Sequence, residues 1–587
     1  MTGPARRNRG ANFFLRFRKR SERRGWSGRG YALLERIGPV TRSSPLRRGI
    51  QVLCLLLFLY AFFYVCWPYA ATFDAATFTN KESYPVEVFL LLDPLAGLST
   101  ALAGRWVNAA TLGWTAAILA ACWLVPRGFC GYLCPLGTLI DGFDWLVGRR
   151  VRRFRLRDKS PRGGWVNLKY YLLAAVLVAA LGGVLLSGFV AAIPVLTRGM
   201  MFTGARLQLL ILKGPGHLAP VDGTFHLSIG LFLAVFLLSL LGPRFWCRYV
   251  CPSGALFSLG NLLRIGQRKV SETCIDCGRC VEICPFDAIQ EDYTTRTADC
   301  TFCQTCGGVC PPGAIQFVTR FHRDPFKSED EPLTSPRPLS RRALIASAAA
   351  AAGTAALVRL SSRAADAATA KPLRPPGSVD EELFLDLCIR CGQCFKVCPG
   401  PVLHAAGLEY GWESLWTPVA RPEHAGCHQD CNFCTQVCPT GAIQPLDLAA
   451  KRRFHMGLAR VDTETCLPFR GQDRRDCDLC YVECRQAGYE AIEMREIRIA
   501  LDPPPPEGMF SDLELSEMSR ILAPVVNAEA CVGCGICEYR CHTRNVVQEQ
   551  ALAHSAIRVS AEGAMASLGQ SGPLSQPKNP QGNNCLV

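Results

Sequence analysis

The sequence is 587 residues long, enough for several domains, with 49% hydrophobic residues, a net charge of +15 and 32 cysteines. Most of these cysteines stand in metal-ligand spacing, which excludes a secreted disulfide scaffold. The net charge suggests nucleic acid at first sight, but its distribution argues otherwise. The arginine-rich segments flank hydrophobic runs, as on the cytoplasmic face of a membrane protein, and no nucleic-acid motif accompanies them.

In chain order, residues 1–49 carry 14 Arg/Lys against Glu22 and Glu35, and read as a disordered basic tail on the cytoplasmic side. A membrane bundle follows over residues 50–265. Its apolar segments are 50–70, 107–125, 170–195 and 225–245, each near the ~20 residues that span a bilayer. The loop 127–169 holds ten Arg/Lys, whereas the loops near 71–106 and 196–224 are poor in them, so both ends of the bundle and loop 127–169 are expected in the cytoplasm. The apolar piece 86–104 is broken by Asp93-Pro94. It reads as a re-entrant or interfacial hairpin on the outer side, because a break in mid-bilayer would leave backbone groups unpaired.

The bundle repeats itself. PRGFCGYLCPLGTL at 126–139 matches PRFWCRYVCPSGAL at 243–256, with Cys130 and Cys134 each 117 residues before Cys247 and Cys251. Two fused two-helix units would bring these four thiols near a pseudo-symmetry axis. There they could hold a metal centre, act as dithiol pairs, or only shape the helix ends.

Residues 266–318 form the first cluster unit. Cys274, Cys277, Cys280 and Cys284 have the spacing C-x2-C-x2-C-x3-C-P, and Cys300, Cys303, Cys306 and Cys310 repeat it. In such runs three thiolates hold one [4Fe–4S] cube and the fourth turns to the neighbouring cube. The expected sets are Cys274, Cys277, Cys280 with Cys310, and Cys300, Cys303, Cys306 with Cys284. Structural zinc would need four ligands but no such repeat. Residues 319–371 are a linker in which Ser340-Arg341-Arg342 opens an Ala-rich apolar run ending near Leu360. This has the form of a twin-arginine export signal, serving as a fifth weak span or cleaved near Ala365-Asp366-Ala367; the bland alternative is a flexible linker.

Residues 372–559 hold four more runs: Cys388, Cys391, Cys394, Cys398; then Cys427, Cys431, Cys434, Cys438; then Cys466, Cys477, Cys480, Cys484; then Cys531, Cys534, Cys537, Cys541. A wide first gap sets Cys466 apart. Gly400–Gly426 and Pro503–Pro506 read as insertions, and 560–587, with Cys585, as a disordered tail. The fold class is therefore multidomain: an α-helical membrane bundle of four spans with a two-fold internal repeat, plus α+β bacterial-type ferredoxin domains.

Six [4Fe–4S] clusters and no catalytic pocket signature read as a wire for single electrons. Haem is not expected: there is no C-x-x-C-H, and of the nine His only His226 lies in a predicted span. No dinucleotide fingerprint appears, so flavin and NAD are not expected either. The membrane suggests quinol as electron source, with bound quinone as a further cofactor. Asp93, Arg198 and His226, near the outer ends of the spans, are the candidate quinol-site groups. Each has a plain alternative: Asp93 capping the helix that starts at Pro94, Arg198 at lipid headgroups, His226 as an interfacial side chain.

With these motifs assembled, residues 45–320 resemble the NapH type and residues 338–550 the NapG type of the periplasmic nitrate reductase system, joined end to end. The MauN and MauM pair is built alike, and the membrane module resembles the NosR and CcoG families. The resemblance implies an oxidoreductase component in the bacterial inner membrane, with its N-terminus cytoplasmic and its C-terminal cluster domain periplasmic. It would oxidise quinol and feed a periplasmic cytochrome or reductase. The alternative is a NosR/CcoG-like membrane reductase in metal-centre maturation. The resemblance also implies that the first and fourth runs of the C-terminal unit, and the second and third, share clusters by ligand exchange.

Overall fold

The computed structural model describes residues 44–64, 88–105, 109–148, 164–214, 218, 221, 223–319, 321, 327, 339–365, 371–470, 477–498, 511, 517 and 519–561. Most of the basic tail, Cys66, the expected cleavage point after residue 365, Pro503–Pro506 and most of the C-terminal tail with Cys585 lie outside them.

Apolar helices form the middle of the molecule. Helix α1 (Pro45–Tyr64) has proline in its first turn, where a missing N–H costs nothing. It starts inside the stretch assigned to the basic tail, because Arg47 and Arg48 are drawn inward by Asp141. Helix α2 (Pro94–Ala103) is capped by Asp93, whose carboxylate accepts from the Leu95 N–H. Helix α3 (Ala109–Leu124) follows, then α4 (Pro135–Phe143) and α5 (Leu168–Leu181). The predicted span 170–195 thus ends at Leu181. Gly182-Gly183 breaks it, with Gly183 at φ +79°, where a Cβ would lie 2.0 Å from the Arg359 guanidinium. The chain then turns back through α6 (Ala192–Met200). Helix α7 (Gly223–Leu237) leads to α8 (Pro252–Gly260).

Among the described residues, three helical segments are long and apolar enough to cross a membrane: Pro45–Tyr64, Gly223–Leu240 and Arg341–Leu360. The last belongs to α9 (Arg341–Ala365), capped at its start by Ser340, whose hydroxyl accepts from the Ala343 N–H. Ala351, Ala355 and Val358 of α9 pack on Ala179 and Val184, and a Cβ at Gly182 would meet Ala355 at 2.9 Å. Small residues let these two backbones approach closely, as between helices in a bilayer.

Strand β1 (Gly266–Val270) pairs antiparallel with β2 (Ile315–Thr319), and both cysteine runs of the first cluster unit lie between them in sequence. Each run folds a short helix, Arg279–Ile283 or Thr305–Val309, behind a left-handed residue, Gly278 or Gln304. The second cluster unit, from 371 onward, carries three two-stranded antiparallel pairs: β3 (Leu403–Ala405) with β4 (Pro418–Ala420), β5 (Leu458–Val461) with β8 (Ile557–Ser560), and β6 (Ile492–Arg498) with β7 (Arg520–Val526).

The two cluster units dock at opposite ends of the helices. At one end Ser44 donates to the Cys303 carbonyl, Tyr132 to the Phe302 carbonyl and Lys169 to Asp299. At the other, Thr111 donates to the Pro439 carbonyl, Arg390 to the Leu185 carbonyl and the Trp416 indole to the Thr224 carbonyl. Helix α1 starts at the first end and finishes with Phe62 under the Lys396 ammonium, 3.5 Å from its ring. Helices α3, α5, α7 and α9 alternate in direction between the same two ends.

Candidate functional site: the cysteine clusters and the thiols between them

In the first cluster unit, Cys274, Cys277, Cys280 and Cys310 line one pocket, and Cys284, Cys300, Cys303 and Cys306 line another. Strand β1 places Arg268 between them. It is buried, donates to Thr295, and lies within electrostatic range of both Cys280 and Cys306. Spacing gave no hint of this arginine.

The second cluster unit exchanges ligands differently from what the resemblance implied. Cys398 lines a pocket with Cys427, Cys431 and Cys434, while Cys438 lies with Cys388, Cys391 and Cys394. Cys541 lies with Cys466, Cys477 and Cys480, and Cys484 with Cys531, Cys534 and Cys537. The first run therefore pairs with the second and the third with the fourth. Cys466, despite its wide gap, is buried with its set, and Asn545 donates to both Cys477 and Cys541. The Cys427 N–H donates to the Cys534 carbonyl at 2.8 Å, joining the two pairs. The four sites thus stand in a row that begins at the bundle, where Cys391 packs into the same core as Cys134 and Cys251.

Burial sets the protonation of these groups. It pushes the Cys300, Cys431 and Cys534 thiols up to about 12. Burial also acts on Cys303, but the Arg47 guanidinium and the Thr305 hydroxyl outweigh it and hold that thiol below its ordinary value. Neutral buried thiols must shed protons to take up iron, so loading is coupled to proton release. Asp299 is desolvated, yet Lys169 and Arg127 hold its carboxyl below the usual range. Burial raises Glu538 to about 7, against the pull of the Val559 N–H that it accepts at 2.7 Å.

Between the two units lie the repeated C-x3-C-P segments, which fold alike. A π-helical turn, Phe129–Leu133 or Trp246–Val250, leads to a cysteine that caps the next helix, Cys134 for α4 and Cys251 for α8. Each capping sulfur accepts from a glycine N–H, Gly137 or Gly254, at 3.4 Å. Arg127 and Arg244 share a left-handed φ of 47° and 49° and both lie over the Phe286 ring of the first cluster unit. Arg244 crosses to the other copy, donating to the Cys130 and Gly137 carbonyls and to Asp141.

The three quinol-site candidates do not come together. Asp93 is fully buried and is closed by Leu95, Ile193 and Ser253. Arg198 is buried over the Trp416 ring at 4.0 Å and donates to the Gly188 and Phe189 carbonyls. His226 is exposed, edge-on to Phe225.

Family models named 4Fe-4S binding domain match residues 107–153 and 382–403, and one named LdpA Fe-S cluster-binding domain matches 243–295. The methylamine utilization ferredoxin-type protein MauM of Paracoccus denitrificans is 34% identical over 234 residues, covering 39% of this chain and 90% of that protein. The chain belongs to the MauM and NapG ferredoxin-type family. The NapG ferredoxin-type protein of Escherichia coli is 38% identical over 172 residues, or 29% of this chain and 65% of that protein. The putative electron transport protein YccM of Escherichia coli is 29% identical over 285 residues, or 45% of this chain and 72% of that protein. No solved structure matches. This MauM/NapG-type chain is an iron–sulfur electron-transfer protein.

Proposed function

We propose that the chain is a membrane-bound electron carrier with six [4Fe–4S] clusters that takes electrons from the quinol pool and delivers them to a periplasmic cytochrome or reductase. The observation that carries this reading is the placement of the two cluster units at opposite ends of one set of apolar helices. Exposed Leu53, Leu56 and Leu57 on α1, with Leu231, Leu233 and Leu237 on α7, support a lipid setting for that set. The basic loop 127–169 supports a cytoplasmic first unit, which leaves the second unit outside.

In this reading the bundle is two fused copies of a C-x3-C-P unit, and α9 is a retained fifth span. Its small-residue packing on α5 favours an anchor over a cleaved signal. The clusters, once loaded, supply one-electron exchange. The protein supplies their order, and Arg268, Arg47 and Asn545 supply charge and hydrogen bonds that tune them. Of the three quinol-site candidates, His226 keeps an exposed ionisable ring at the end where the second unit docks, and it serves as acceptor for the quinol protons. Asp93 and Arg198 hold the bundle and the second unit together.

The test is reduction of the purified, iron-loaded chain by a soluble quinol under anaerobic conditions, for wild type and His226→Ala. Wild type should bleach at a rate that the variant lowers at least tenfold, while dithionite reduces both equally. Clusters that dithionite reduces and quinol leaves oxidised would overturn the quinol source.

A further inference from the structure

We propose that Cys130, Cys134, Cys247 and Cys251 jointly hold a seventh iron–sulfur cluster, which bridges the two cluster units. Four observations lead to it.

The first is position. Cys134 lies within electrostatic range of Cys130, Cys247 and Cys251. This group stands between the first unit, whose Phe286 rests on Arg127 and Arg244, and the second unit, whose Cys391 packs into the core that holds Cys134 and Cys251. The hydrocarbon layer is about 30 Å thick, too far for one fast electron step, so a relay needs a stop within it.

The second is charge. Arg47, Arg127, Lys169 and Arg244 are each no more than 2% exposed, and the carboxylates that meet them are Asp141 and Asp299. Two buried positive charges are left over. Arg47 shares Asp141 with Arg244 and lies within range of Cys303, where a bound cluster would answer it. Arg127 has buried Nε and Nη2 atoms without a partner, and the Trp246 indole N–H beside Cys247 has none either. Buried cations without an anion cost several kcal/mol, so an anionic group belongs at this spot. A cluster held by four thiolates is anionic, and its sulfurs accept hydrogen bonds.

The third is the cradle. The Gly137 and Gly254 N–H groups already point at the Cys134 and Cys251 sulfurs. A Cβ at Gly254 would sit 3.3 Å from the Arg127 Nη2, and one at Gly137 3.5 Å from Arg244. Each copy's arginine therefore reaches into the other copy's turn, and the site is incomplete with one copy. The 4Fe-4S binding domain model that matches 107–153 covers only Cys122, Cys130 and Cys134 of the cysteines. The second copy supplies the missing ligands.

The fourth is nuclearity. Among the described residues no three Cys, His, Asp or Glu side chains converge on a single ion position, which disfavours a mononuclear metal. The same holds for the ferredoxin runs. A dithiol would be a two-electron couple and would leave the Arg127 Nε and Nη2 atoms without an anionic acceptor whenever protonated or oxidised. The proposed cluster exchanges one electron with the unit on either side, with no bond made or broken and no proton taken up.

This inference rests on the electron-carrier reading for its role but not for its existence. The experiment is iron and acid-labile sulfide analysis of the full-length protein purified without oxygen, for wild type and Cys130→Ser/Cys247→Ser. Six cubanes account for about 24 Fe per chain. Wild type should exceed the double variant by about two Fe for a [2Fe–2S] centre or about four for a [4Fe–4S] centre. Equal iron in the two proteins, stoichiometric zinc in wild type, or four titratable thiols there beyond Cys54, Cys66, Cys122 and Cys585 would each overturn the proposal. Failure of the six-cluster reading would instead lower both totals and leave their difference intact. Should the double variant fail to fold, Arg127→Gln keeps all four thiolates. It should move one redox transition to lower potential and leave the others in place; a variant with every transition unmoved would count against the site.

Discussion

Asp141 is the residue on which the end of the bundle nearest the first cluster unit depends most. Its carboxylate is 7% exposed and accepts from Arg244 Nε at 2.6 Å, Arg244 Nη2 at 2.8 Å, Arg48 at 2.6 Å, Arg47 at 3.2 Å and Gln51 at 3.2 Å. Asp141→Asn keeps the shape but removes the charge, leaving Arg47 and Arg244 as buried cations at 1% and 0% exposure. Breaking a buried pair from one side costs about 3–5 kcal/mol, or roughly a hundredfold to several thousandfold in the folding equilibrium. Graded SDS unfolding of the iron-loaded protein, followed by loss of cluster absorbance, measures it. The double variant Asp141→Asn/Arg244→Gln should regain part of the loss, because one uncompensated cation is gone. A single variant within about 0.5 kcal/mol of wild type, the usual range for surface substitutions, or strictly additive losses, would refute the argument.

Gly182→Val should force α9 away from α5, where 2.9 Å leaves no room beside Ala355, and limited proteolysis should cut within α9 faster than in wild type. Ligand exchange in the second unit predicts that Cys388→Ser and Cys438→Ser abolish the same EPR signal, while Cys398→Ser and Cys431→Ser abolish another; signals sorting by sequence run would contradict the geometry. Glu538 titrates near 7 in the folded chain, above its ordinary 4.5, so the folded state holds its proton longer and stability falls as pH rises from about 4.5 to 7. Glu538→Gln should therefore raise the free energy of unfolding at pH 8 by at most about 3 kcal/mol, with the gain vanishing below pH 4.5.

Which cysteines gather was largely legible because the runs are local. Three ligands come from one short run, and the repeat at 274–284 and 300–310 announces itself. The fourth ligand in the C-terminal unit was not legible, since Cys398 and Cys438 choose partners by tertiary packing. The Pro-Arg of each C-x3-C-P copy was visible as a repeat, but nothing in the sequence said that Arg244 would cross to Asp141, or that Phe286 would cover both arginines. Gly400–Gly426, which reads as an insertion, forms β3 and β4 and carries Trp416 onto the bundle. The third apolar segment looked continuous to residue 195 because hydropathy does not register that Gly183 must admit Arg359. Asp93 reads from sequence as a helix cap before a proton acceptor, and its enclosure by Ile193 and Ser253 agrees with the cap.

The most direct test of the relay is an EPR-monitored titration of the full-length protein in liposomes, with quinol as the only reductant and a membrane-impermeant oxidant on the side of the second unit. Clusters of both units should be reduced by the quinol, and adding the oxidant should reoxidise the first unit as well as the second. A first unit that stays reduced while the second is drained would show two separate carriers rather than one path across the helices.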